Sequence, residues 1–262
     1  MRVGLSSAAF YGRLETEDAA AHVRDFPAQV CEVFLETHSE YCRSFGQLVR
    51  QKLGDLPCVS VHAKGTQFEP DLFGRSRRQV EDAMDIFAGV CDAGEALGAK
   101  YYVFHGPGNA RNALPPDKVN ALQERFGRMR EIAAQRGMEV LWENVSWCSI
   151  RTPQDVQRAR ELLPGLHFVL DVKQALRGGV DVLEMIAAMG RDIRHVHVLD
   201  WDAQGELRLP GEGIVDWQAV LAALRSAGYD GTILLEPYGH QATDEAVLRR
   251  SLDYLHGLIL RE

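Results

Sequence analysis

"RHVHVLDWD", residues 194 to 202, alternates like a buried strand, yet it carries two histidines and closes on two aspartates. A period of two puts His195 and His197 on one face and Val196 and Val198 on the other. A strand with enough valine to be buried therefore turns imidazoles inward, and the rest of the chain must say what they meet.

Working outward, the run "HVHVLD" (195–200) is one of eight. The others are "RVGLSS" (2–7), "VCEVFL" (30–35), "CVSVHA" (58–63), "YYVFHG" (101–106), "EVLWEN" (139–144), "HFVLD" (167–171) and "TILLEP" (232–237). Stretches of helical period lie between them. Val80, Ala83, Met84, Phe87, Val90, Cys91, Gly94 and Leu97 form one stripe, which stops at Gly98. Trp217, Val220, Leu221 and Leu224 form another, with Asp216 as its cap and Gly228 as its end. Strand starts recur at intervals of 28 residues or more, room for a strand, a helix and two loops. Eight such units in 262 residues predict a single-domain α/β (β/α)8 TIM barrel over residues 1–262. A doubly wound open sheet would need a glycine-rich phosphate turn after an early strand, and "GPG" (106–108) and "GEG" (211–213) are too short to supply one.

The formal net charge of -8, from 37 acidic and 29 basic side chains, repels a phosphate backbone, and "GRSRR" (74–78) is only a helix start. Nucleic acid is therefore not the expected partner. Cys31, Cys42, Cys58, Cys91 and Cys148 make an odd count without a C-x-x-C pair, which fits reduced thiols in a cytoplasmic protein. No stretch resembles a signal peptide or approaches membrane-spanning length.

A barrel places its chemistry where the strands end. Strands three to eight end at or near His62, His105, Glu143, Asp171, His197 and Glu236. Two residues back on the inward row stand Ser60, Val103, Leu141, Val169 and Leu234, mostly small or apolar. Each strand thus turns polar only at its final inward position. Three carboxylates in one mouth repel one another unless protonated or neutralised by a cation. Imidazole nitrogen with carboxylate oxygen suits zinc, manganese or another first-row divalent ion. His195, one step deeper, is read as a core or supporting histidine. Glu36 and His38 close strand two in a supporting polar role, and Trp142 packs on the helix side. Trp147, Trp201 and Phe68 are candidates for pocket walls, and Tyr238 and His240 for substrate contact.

The ordered set "VHAKG", "FHGPG", "LWENV", "LDVKQA", "HVHVLD", "LPGEGIVDW" and "ILLEP" resembles the xylose-isomerase-like barrel superfamily of sugar isomerases, ketose 3-epimerases and apurinic-site endonucleases. The resemblance implies an ion held by Glu143, Asp171, His197 and Glu236, with His62 and His105 as further ligands where a second ion binds. It implies that Glu143 and Glu236 remove and return a proton beside the carbonyl of a sugar or sugar phosphate, through a metal-stabilised enediolate. Where the family often reads D-x-x-H this chain has "DVKQ", which leaves Gln174 to hydrogen-bond a hydroxyl but not to act as acid or base. No Asp-x-His pair precedes "GEG", so the three-metal endonuclease set is incomplete. Lys64, Trp201 and His240 complete the expected substrate contacts, and Lys64 or Lys173 would meet a phosphate if one is present, although exposed loop lysines are usually only solvated. The alternatives are a two-metal phosphoester hydrolase and a non-catalytic metal- or sugar-binding barrel. A homodimer is a common arrangement for such a barrel.

Overall fold

The computed structural model describes residues 1–108 and 119–260. Eight parallel strands close into a barrel in chain order: β1 (Arg2–Ser6), β2 (Val30–Leu35), β3 (Cys58–Ala63), β4 (Tyr101–Phe104), β5 (Glu139–Glu143), β6 (Phe168–Asp171), β7 (Ile193–Val198) and, as the eighth, β10 (Thr232–Leu235), which pairs back onto β1. The short strands β8 (Asp200–Trp201) and β9 (Leu207–Arg208) form an antiparallel ribbon outside the ring. The expected TIM barrel is the observed fold. Some strands stop earlier than the sequence pattern suggests: β4 gives way to Gly106 at φ 84°, so His105 stands one residue past it, and Glu236 stands one residue past β10.

Helices fill the outer layer: α1 (Thr16–Val23), α2 (Arg43–Leu53), α3 (Glu69–Leu72), α4 (Arg77–Leu97), α5 (Val119–Ala134), α6 (Pro153–Leu162), α7 (Val172–Arg177), α8 (Val182–Met189), α9 (Trp217–Ser226) and α10 (Glu245–Leu260). The stripe on α4 is buried from Val80 to Leu97, and the helix ends on left-handed Gly98, as its periodicity implies. Asp216 caps α9 by accepting from the Ala219 N–H at 3.0 Å. The residues between strands and helices form the main hydrophobic core, while Val103, Leu141 and Val169 form a separate apolar floor inside the barrel. None of the helices among the described residues is long and apolar enough to cross a membrane. All five cysteines are free.

The register carries one inward row around the ring. Ser6 pairs with Glu32, Glu32 with Ser60, Phe34 with His62, His62 with Val103, Val103 with Leu141 and Glu143 with Val169. The row continues through Asp171 with His197 and Leu234 with His197. Pairing slips by one residue between Cys31 and Glu32 and again between Phe168 and Val169. Such bulges re-aim side chains. The second slip brings His195 beside Val169 and His197 beside Asp171.

Candidate metal centre

Above the apolar floor the barrel holds a buried polar layer. Glu143, Asp171, His197 and Glu236, from the ends of β5, β6, β7 and β10, each offer a ligand atom, all within 4.8 Å of one another. His62, His105 and Glu143 form a second such group, so all six polar strand ends named from the sequence converge. The Nδ1 of His197 lies 2.9 Å from Glu143 Oε1 and 3.5 Å from Glu236 Oε2. The Nδ1 of His62 lies 2.9 Å from Glu236 Oε1, and its Nε2 lies 2.9 Å from His105 Nε2.

The surrounding elements hold these groups in place. Asp171 caps α7, its Oδ1 accepting from the Gln174 N–H at 2.9 Å. Asn144 grips the Asp171 backbone on both sides, donating to its carbonyl and accepting from its N–H at 2.8 Å each. The Trp142 indole donates to the His105 carbonyl at 3.2 Å, and a side chain on Gly106 would fall 2.3 Å from that indole nitrogen. The turn that carries His105 therefore needs glycine at 106, both for its φ and for space.

Two further groups in this layer, Glu32 and Glu69, escaped the sequence reading, and a third, Lys173, was named there only as a contact for a phosphate. Glu32, fully buried on β2, faces His197 Nε2 at 3.1 Å, His195 Nε2 at 3.3 Å and the Ser60 hydroxyl at 2.7 Å. Glu69, buried on α3, accepts from the Tyr102 hydroxyl at 2.6 Å and faces His105 Nδ1 at 3.2 Å. Lys173 is not the solvated loop lysine of the sequence reading. It is buried, with Nζ 3.5 Å from Asp171 and 3.3 Å from Glu236, because the turn into α7 directs it back into the mouth. A carboxylate inside "VCEVFL", an otherwise apolar strand, was the one signal that could have exposed Glu32.

Each of these groups feels several charged neighbours at once. Burial works against an ionised Glu236, but His197, Lys173 and His62 outweigh it and hold the carboxyl well below its ordinary range. Burial likewise opposes charge on Glu143, where His197 and His105 prevail and lower it. At Asp171 burial wins over Lys173 and raises the carboxyl to about 6. Burial disfavours a charged ring at His105, yet Glu69, Glu143 and Glu236 raise it to about 9. His197 rises well above its ordinary value against the same opposition, chiefly through Glu32 and Glu236. Carboxylates gathered this closely, with Glu143 and Glu236 held below their ordinary range, make a donor set suited to a divalent cation, and the buried Glu, Asp and His groups could hold one.

The expected substrate contacts are spread more widely. Lys64 is half-buried and donates to the Tyr11 hydroxyl at 2.9 Å. Tyr11, Phe34 and Tyr238 meet edge to face at 5.6–6.2 Å between ring centres, and the Phe34 ring lies 5.5 Å from His62. Trp147 is exposed, 6.0 Å ring to ring from His105. Gln174 accepts from the Ser146 N–H and hydroxyl at 3.2 and 2.9 Å. Trp201 lines an outer groove with Leu183, Ile214 and Val220. His240 is exposed, as is His38, and Phe68 is buried against Tyr41 instead of forming a wall. Glu36 is raised to about 7 by burial and by Glu40. Neither aspartate of "LDWD" joins the cluster: Asp200 accepts from the Trp201 N–H, Val215 N–H and Trp217 indole at 2.8–3.0 Å, and Asp202 closes the β8–β9 turn.

A family model described as xylose isomerase-like TIM barrel matches residues 17–258. An inosose dehydratase of Geobacillus thermodenitrificans (strain NG80-2) is 22% identical over 188 residues, 60% of this chain, and the match spans 63% of that protein's length. Among solved structures, a D-psicose 3-epimerase crystallised in the presence of D-fructose superposes with a TM-score of 0.79 at 14% identity, over 98% of this chain and 99% of the other. AsbF of Bacillus anthracis, a probable 3-DHS dehydratase involved in petrobactin synthesis, gives 0.76 at 15% identity, over 98% and 99%.

Proposed function

Because the chain belongs to the xylose isomerase-like TIM barrel family, we propose that it is a divalent-metal-dependent isomerase or epimerase acting on a small sugar or sugar phosphate. The observation that carries this is the convergence of Glu143, Asp171, His197 and Glu236 within 4.8 Å at four consecutive strand ends. Zinc or manganese suits their nitrogen and oxygen donors. A bound ion would supply Lewis acidity toward a substrate carbonyl and its neighbouring hydroxyl.

The remaining work falls to side chains. Glu143 and Glu236 are ionised carboxylates, the state a proton acceptor needs, and they serve as acid and base at the carbon beside the carbonyl. Lys173 and His62 hold the two oxygens of Glu236. Tyr11, Phe34 and Tyr238 offer an aromatic face to a carbon skeleton, and His105, the most exposed of the six converging groups, borders the entrance. Substrates with several hydroxyls beside a ketone match this mixture of donors, acceptors and apolar wall.

One observation favours a second reading, loss of water from such a ketone. His105, raised to about 9 by Glu69, is protonated at neutral pH and can donate to a departing hydroxyl. The dehydratase relative is consistent with that chemistry. Metal-reloaded protein incubated in D2O with ketohexoses and with inososes, followed by NMR, tests both. Deuterium beside the carbonyl with a new epimer supports the first reading, and loss of water supports the second. A metal-loaded protein that exchanges no proton on either class, but takes up two ions and cleaves a phosphoester, would replace both with the hydrolase.

A further inference from the structure

We infer that Glu32 is a positioning residue that fixes the His197 ring with Nδ1 facing the ion site. The inference rests on reading Glu143, Asp171, His197 and Glu236 as ligands. An imidazole ligates through one nitrogen while the other keeps its proton and needs an acceptor, and that acceptor sets ring orientation and basicity. Here Nδ1 faces Glu143 and Glu236, while Nε2 points to Glu32 Oε2 at 3.1 Å. The opposite edge of the ring has the carboxylate such a ligand requires.

Glu32 is itself held from several sides. Its Oε1 accepts from the Ser6 hydroxyl at 3.2 Å and its Oε2 from the Ser60 hydroxyl at 2.7 Å. His195 Nε2 approaches the same Oε2 at 3.3 Å, and its ring meets His197 edge to face at 5.0 Å. The slip in β2–β3 pairing occurs at Cys31/Glu32, where it sets Glu32 opposite Ser60. All four groups, Ser6, Glu32, Ser60 and His195, are fully buried, and a carboxylate there is costly unless it has work. The serines and His195 hold the glutamate, and the glutamate holds the ligand.

Metal-stripped wild type, Glu32→Gln and Glu32→Leu are titrated calorimetrically with zinc alone at pH 7.5, and the His197 ring nitrogens of the zinc-loaded proteins are observed by 15N NMR. Wild type should show a slowly exchanging Nε2–H. The leucine variant should lose that signal and bind zinc about 10–100-fold more weakly, with the glutamine variant, which keeps an acceptor but no charge, toward the lower end. Zinc affinity within about two-fold of wild type together with an unchanged Nε2–H signal in the leucine variant, or in the glutamine variant should leucine not fold, overturns the role of Glu32. Wild type that takes up no zinc overturns the ligand reading beneath it instead.

Discussion

Lys173→Met should separate the electrostatics of the metal-free site from those of the loaded one. Lys173 Nζ stands 3.5 Å from Asp171 and 3.3 Å from Glu236. At an effective dielectric constant of about 20, each pair is worth about 5 kcal/mol of gross attraction. Much of that only offsets the cost of burying the ammonium, so the net loss on removing one partner is about 3–5 kcal/mol. At about 2–4 °C per kcal/mol for a chain of this size, the melting temperature of the metal-stripped variant falls on the order of 10 °C. Asp171, already raised to about 6, then takes a proton at neutral pH and limits the damage. A divalent ion supplies the missing countercharge, so the loss shrinks to a few degrees in saturating zinc, and affinity for zinc rises because a competing cation is gone. Scanning calorimetry with and without zinc reads both effects. An equal fall in the two conditions, or no fall in either, refutes the reasoning.

Glu236→Gln should lower deuterium exchange beside the carbonyl by about 10²–10⁴-fold, the usual worth of a proton-transferring group, as measured by NMR under saturating metal. The pH dependence follows from His105, whose ordinary value is 6.5 and which burial opposes but Glu69 raises to about 9. Its protonation stabilises the metal-free fold fully below about pH 6.5 and is lost as pH rises through about 9, so the melting temperature of stripped protein should decline across that window. Gly213→Ala should destabilise the fold by about 1–3 kcal/mol, read as a lower denaturation midpoint, through overpacking. The new Cβ would lie 2.1 Å from Asp200 Oδ1 and 2.5 Å from the Trp201 carbonyl, and neither can yield without losing the loop's hydrogen bonds.

The barrel and the six converging groups were legible because both follow from period. Inward residues recur every second position, and a polar residue at the last inward position stands out against valine and leucine behind it. What period could not give is the way two strands slip by one residue, so Glu32 read as one polar residue in an apolar run while its register sets it opposite Ser60. Glu69 and Lys173 lie on α3 and α7, just after strands, where no alternation marks the inward side. Lys173 looked like any loop lysine until the turn after Asp171 aimed it into the carboxylates. The aspartates of "LDWD" lie past the end of β7 at Val198, where the chain leaves the barrel for the β8–β9 ribbon, and their carboxylates serve turns.

Elemental analysis of stripped and reloaded protein tests the ion site most directly, counting ions per chain in wild type and in a Glu143→Ala/Asp171→Ala double variant after equal exposure to zinc or manganese and desalting. The site predicts about one ion per wild-type chain and almost none in the variant, for a four-residue donor set that loses two members. Wild type that retains no more ion than the variant would contradict it.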